Sequence, residues 1–177
     1  MIKYEIILKK KLNVKKIDKF TITRLCSLAG TSQNEFQRRY GTMANFVTLV
    51  LNKKLRYILR TYNKNIEQLV YDVLVELHDN KIYYANLFML ISKGRKVGEV
   101  ERKINAYQSL KKTLFEGLED YMRPRGPFYV KAIDDCSSHI CSRIQVWISH
   151  DFKEDPQTIF KEFRRSLRAI EHPEDRK

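Results

Sequence analysis

Apolar side chains recur at three- and four-residue intervals through most of this chain, and residues that force turns are scarce. Between positions 43 and 62, Met43, Phe46, Val47, Val50, Leu51, Leu55, Ile58 and Tyr62 keep to one face for about five turns. Between 66 and 77, Ile66, Leu69, Val70, Val73, Leu74 and Leu77 form the cleanest stripe. That period is helical, and strand-rich folds need more turns than 6 glycines and 4 prolines in 177 residues supply. The chain is therefore expected to be all-α. Its 43% hydrophobic content is enough to bury a core, and no apolar run approaches the ~18 residues of a membrane span. The length suggests one folded unit, or two small ones sharing an interface.

Caps and breakers divide the pattern into nine helices. The first, about 2–12, sets Ile2, Ile6 and Ile7 near one face among lysines, and Asn13 to Phe20 reads as a connection. Thr21 is the expected N-cap of a helix running to about Ala29, with Gly30 as its stop. The alternation Thr21-Ile22-Thr23 could open a strand, but Leu25 and Leu28 stand at helical spacing. Ser32 and Glu35 form a capping box that opens a two-turn helix ending near Tyr40-Gly41. The helix over 43–62 follows. Asn65 with Gln68 resembles a second box, and Asp79-Asn80 ends that helix. A helix over 81–92 carries Ile82, Tyr84, Ala85, Phe88, Met89 and Ile91, and 94–98 is a loop. The helix over 99–122 is expected to bury Val100, Ile104, Tyr107, Leu114, Phe115, Leu118 and Tyr121, with Pro124 and Pro127 flanking the next turn. Residues 128–150 have two apolar faces, one with Ile133, Ile140, Ile144, Trp147 and Ile148, the other with Tyr129, Ala132 and Cys136. Asp155-Pro156 caps and opens the last helix, to about Ile170.

Charge is distributed unevenly. Residues 1–62 hold fourteen Lys/Arg against three acidic side chains, a balance of +11, whereas 63–177 hold twenty against eighteen, a balance of +2. A basic first third suits a solvated face, an anionic membrane surface or polyphosphate equally well. Two short helices joined by Gly30-Thr31, the second carrying Gln33, Asn34, Gln37, Arg38 and Arg39, make a helix-turn-helix pattern and turn the reading toward DNA.

Residues Thr21 to Ser32, then Glu35-Phe36, Tyr40 and Phe46, resemble in order and spacing the helix-turn-helix of the tetracycline-repressor (TetR) family. The resemblance is specific over about 20–50. Beyond that it rests on the helix count and on the stretch Trp147-Ile148 to Phe152-Lys153-Glu154-Asp155-Pro156. It implies a homodimeric transcriptional regulator, most simply a repressor that binds a palindromic operator. A DNA-binding domain over 1–46 would precede a helical ligand-binding and dimerisation domain over 47–177, and an apolar or aromatic effector would release the DNA. The sequence departs from the family at Gln37, where members carry tyrosine, and at Met43, where they carry a phosphate-contacting lysine. These departures motivate a second reading, a TetR-derived protein-binding adaptor with weak or no specific DNA binding.

The DNA-contacting set is expected to be Thr21, Thr23, Arg24, Ser32, Gln33, Asn34, Gln37, Arg38, Arg39, Tyr40 and Thr42. Amides suit bidentate adenine contacts and guanidinium groups suit phosphate or guanine. Leu25, Leu28, Phe36 and again Tyr40 read as core. Tyr71, Leu74, His78, Phe88, Tyr107, Phe115, Cys136, His139 and Trp147 are candidates for an effector cavity, with ordinary bundle packing as the alternative for each. Ile133, Ile140, Ile144, Ile148, Ile159, Phe160, Phe163 and Leu167 are the expected dimer interface. Cys136, His139 and Cys141 invite a metal reading, but on one helix at most two could converge where zinc wants about four ligands, so no metal or other cofactor is expected. Three cysteines are too few and too odd for a disulfide frame. Asp134-Asp135 and the scattered histidines make no nucleophile–base pair, so no enzyme is expected. The N-terminus lacks a signal peptide's long apolar stretch, and the expected location is cytoplasmic, with no membrane partner.

Overall fold

The computed structural model describes residues 2–61, 65–92, 99–125 and 130–171. Among these residues there are nine α-helices and no strand. They are α1 (Ile2–Leu12), α2 (Ile22–Ala29), α3 (Gln33–Tyr40), α4 (Met43–Leu59), α5 (Ile66–Asp79), α6 (Lys81–Ser92), α7 (Glu99–Met122), α8 (Val130–Ser149) and α9 (Pro156–Glu171), with a 3-10 turn at Arg123–Arg125. The all-α expectation holds. Helix α4 stops at Leu59, short of the expected Tyr62. Tyr62, the 94–98 loop, Pro127, Tyr129 and the side chains of Val100 and Ile104 lie outside the described residues. No helix of the described residues is long and apolar enough to cross a membrane.

Two compact units emerge, Met1–Leu51 with Asn80–Ala106, and Asn52–Asp79 with Tyr107–Lys177. This division differs from the expected boundary between 46 and 47, because α6 belongs with the N-terminal helices. The link is Asn86, a buried amide on a helix that is otherwise apolar nearly all round. Its Nδ2 donates to Leu12 O and Lys15 O, both at 2.8 Å, and its Oδ1 accepts from Ile17 N–H at 3.0 Å. One side chain thereby satisfies three backbone groups, one at the end of α1 and two in the connection to α2.

In this first unit α1 buries Tyr4, Leu8 and Leu12, each four residues after the last. Ile2 and Ile6, which the sequence sets near one face of an amphipathic helix, are 69% and 61% exposed. The aromatic partner decides the rotation: the Tyr4 ring meets those of Phe36, Tyr40 and Phe46 at 5.4, 6.1 and 5.8 Å, all edge to face. Leu28 also departs from expectation and is 43% exposed. Helix α2 starts where the Thr21 hydroxyl accepts Arg24 N–H at 3.2 Å. It stops at Gly30, whose φ of 60° is left-handed and lets Thr31 N–H reach Cys26 O at 3.0 Å.

In the second unit α9 packs against α5 and α8. Trp147 is fully buried, donates its indole N–H to Glu154 O at 3.0 Å, and stacks on His78 with centroids 5.9 Å apart. The α8–α9 turn places Asp151 and Phe152 in left-handed backbone, and Phe152 N–H closes the turn on Trp147 O at 2.9 Å. Arg143 bridges the same turn to α9, bonding Glu154 at 2.6 Å and Glu162 at 2.8 Å. Pro156 opens α9 behind the Asp155 cap, as expected, with Gln157 N–H on Asp155 Oδ1 at 2.7 Å. Asn65 caps α5 through Gln68 N–H at 2.7 Å, but the Gln68 amide turns forward to Asp72 instead of completing a box. The C-terminal half of α4 lies against α7 so closely that a Cβ on Gly117 would stand 2.6 Å from Leu59 Cδ1. Asn52–Ser109, Arg56–Glu116 and Arg60–Asp120 contacts line that approach.

Replacing Asn86 by leucine removes three bonds at once and leaves their backbone partners unsatisfied; urea unfolding should show a loss of about 2–4 kcal/mol. A second outcome concerns pH. Hydrogen bonding to Arg143 holds the Glu154 carboxyl below the usual carboxylate range. Glu154 then stabilises the fold fully above that range, and the contribution is lost as pH falls through its lowered value. Wild type should exceed Glu154→Gln in melting temperature at neutral pH, and the gap should close in acid.

Candidate nucleic-acid interface

Helix α3 has only eight residues, and two of them, Phe36 and Tyr40, are buried. Their rings lie 5.1 Å apart and each touches Phe46 of α4, at 5.3 and 4.7 Å. With that face committed, Gln33, Asn34, Gln37, Arg38 and Arg39 are all exposed. The Ser32 hydroxyl accepts Glu35 N–H at 3.1 Å, the Ser32 half of the expected box. The turn before α3 is pinned by Tyr4 Oη and Thr31 Oγ1, 2.7 Å apart. Sequence reasoning missed Tyr4. Its only signal is the four-residue spacing to Leu8.

The remaining expected contacts divide by role. Thr21, Ser32 and Thr42 occupy the starts of α2, α3 and α4, where Thr42 Oγ1 accepts Asn45 N–H at 3.1 Å. Helix N-termini carry partial positive charge, and their free N–H groups suit phosphate oxygens. Thr23 and Arg24 are exposed on α2. Thr23 donates to Gln33 Oε1 at 3.1 Å, and the Arg24 guanidinium lies 5.7 Å from the Phe20 ring centroid. Arg39 stands over Tyr40 at 5.5 Å. Tyr40 itself is not available as a DNA contact: it is 8% exposed, and its hydroxyl is buried without a partner among the described residues. The ring is held as part of the core, the other role expected of it.

The residues expected around an effector are shared between the two units. Phe88 belongs to the first unit and the others to the second. Leu74, Cys136 and Trp147 are buried, Tyr71 packs edge-on against Phe160 at 5.4 Å, and Phe115 is half-buried. The Tyr107 hydroxyl reaches Ser142 Oγ at 3.4 Å. His139 is exposed, with Nδ1 3.1 Å from Ser166 Oγ and its ring edge-on to Phe163. The expected dimer residues are corrected more sharply. Ile133, Ile140, Ile144, Ile159, Phe163 and Leu167 are all fully buried within one chain, Phe160 nearly so, and Ile148 half-buried. They hold α8 and α9 to their own unit, and a charge at Ile144 or Phe163 would disrupt the core. The outward side of α8 instead presents Val130, Lys131, Asp135, His139, Ser142 and Val146.

Among the described residues no group of three or more His, Cys, Asp or Glu is placed to hold a metal ion. Cys136 and Cys141 are buried while His139 faces outward. Burial pushes both thiols up to about 12, so at neutral pH they carry their protons and are poor nucleophiles. Iodoacetamide should leave Cys136 and Cys141 unmodified in the native protein and alkylate both in urea; rapid native labelling of either would contradict their placement.

No family model and no curated protein matches the chain. Among solved structures it is similar to the crystal structure of a TetR transcriptional regulator from Rhodococcus sp. RHA1, with a TM-score of 0.60, over 94% of this chain and 91% of that one, at 12% sequence identity. A short helix-turn-helix held by aromatic anchors, followed by a long connecting helix and a helical bundle, is thus the fold of a TetR regulator.

Proposed function

We propose that this protein is a transcriptional regulator of TetR type, a repressor that binds a palindromic operator as a homodimer and releases it when a small effector binds. The observation that carries the reading is the division of α3 into two faces. Phe36 and Tyr40 are locked into the aromatic core, and amide and guanidinium side chains fill the face left to solvent. Such a helix can enter a major groove without losing its support. The surplus of +11 over residues 1–62 supplies attraction to phosphate, and the exposed amides supply base contacts. Gln37 is exposed in the middle of that face, and Met43 is half-buried at the start of α4. Backbone affinity therefore comes from Arg38, Arg39, Thr42 and the lysines of α1 and α4. A second copy packs on the outward side of α8 and α9, since their inward side is already used. The effector, apolar or aromatic, favours a separation of reading heads that does not fit the operator.

Selection of binding sites from genomic DNA tests the reading directly. The expected product is a palindrome whose half-sites lie about one helical turn, or a multiple of it, apart. No enrichment by folded protein would favour the adaptor reading instead. On the selected operator, Gln37→Ala should lose ~1–3 kcal/mol of discrimination at one position per half-site with the salt dependence nearly unchanged. Arg38→Ala should weaken binding to every sequence and reduce the salt slope by about one unit. Equal losses on all single-base variants would make Gln37 a backbone contact.

A further inference from the structure

Gln33 is the first residue of α3 and is exposed, yet its side chain has a protein partner: Thr23 Oγ1 donates to Gln33 Oε1 at 3.1 Å. An amide oxygen can only accept, so the hydroxyl proton lies on this bond. Both ends are fixed by local structure. Thr23 sits in the first turn of α2, two residues after the Thr21 cap, and Gln33 follows directly on the Ser32 cap. The turn between them is set by the left-handed Gly30 and by the Tyr4–Thr31 bond. The distance from Thr23 to Gln33 is therefore a property of the helix pair and not of two loose side chains.

We propose that Thr23 is a positioning residue that determines which end of the Gln33 amide meets the DNA, and that Gln33 thereby selects guanine. The inference rests on the operator-binding function proposed above. A freely turning glutamine reads adenine with both ends, its oxygen accepting from N6 while its nitrogen donates to N7. With the oxygen held back toward α2, the amide leads with its NH2 group, which only donates. Guanine presents two acceptors side by side in the major groove, O6 and N7, and both can receive a proton from that NH2. Adenine places its own N6 donor beside N7, so a leading NH2 meets one acceptor and one donor. Cytosine offers a donor there, and thymine a single acceptor beside a methyl group.

Site selection with four proteins tests this. The position read by Gln33 is the one at which Gln33→Ala erases the base preference. There wild type should prefer guanine to adenine by at least about fivefold. Thr23→Val, nearly equal in shape but without the hydroxyl, should level that preference or reverse it toward adenine. Thr23→Ser should keep it. Since Thr23 is exposed, all variants should melt close to wild type; a valine variant that does not fold is replaced by Thr23→Ala, with the same expectation. The inference is overturned by adenine at that position in wild type, or by a preference unmoved in Thr23→Val. A uniform loss of affinity with a shallower salt slope also overturns it, because Thr23 would then be a phosphate contact. A wild-type protein that enriches no sequence overturns the operator reading itself, whereas an enriched operator with adenine under Gln33 overturns this inference alone.

Discussion

Four aromatic rings from three helices, Tyr4, Phe36, Tyr40 and Phe46, touch one another in every pairing, with centroids between 4.7 and 6.1 Å. The candidate site depends on that cluster. An eight-residue helix as polar as Gln33–Tyr40 is far too short to persist alone in water, where about 12–15 residues are needed for even marginal helicity. Two anchors one turn apart fix its position, its rotation about its axis and hence the identity of the side chains left outside. Edge-to-face packing adds directional preference to the burial itself. The buried Tyr40 hydroxyl finds no partner among the described residues, so the ring is what the cluster uses.

Directional polar contacts to backbone do comparable work elsewhere. In the first unit the Asn86 amide substitutes for regular structure in the connection between α1 and α2. In the second unit the α8–α9 turn accepts two consecutive left-handed residues, neither of them glycine, an arrangement that costs free energy at each. It is held by the buried Phe152 ring, 5.0 Å from that of Trp147, by the Trp147 indole on Glu154 O, and by Arg143. The surroundings determine that turn more strongly than its own residues do.

This difference explains what could be read from the sequence. Caps act through neighbours in the chain, so Thr21, Gly30, Ser32, Asn65 and Asp155 reveal helix ends that the structure reproduces within a residue or two. The side of a helix that faces inward depends on partners far away in sequence. For α1, the sequence draws attention to the isoleucines, while the buried face is Tyr4, Leu8 and Leu12, turned inward by the aromatic cluster. An apolar stripe also states that it is covered without saying by what. For α8 and α9 the cover is the chain itself, and the isoleucines that resemble an interface are core. Asn86 did leave a signal, an amide within an apolar run, but its partners lie about seventy residues away.

The same separation lets the fold persist while recognition changes. A likeness of 0.60 in TM-score at 12% identity means that few side chains need be shared for the architecture to be kept. In the first unit those that hold it are the aromatic rings, the cap hydroxyls and Gly30. Gln37 is exposed and Met43 is half-buried, whereas all four rings of the cluster are buried. The exposed face of α3 can therefore change its side chains without disturbing the rings that hold the helix. One short helix thus keeps the residues that fix its place in the fold on one face and its exposed amide and guanidinium groups on the other, so the second set can vary while the first is kept.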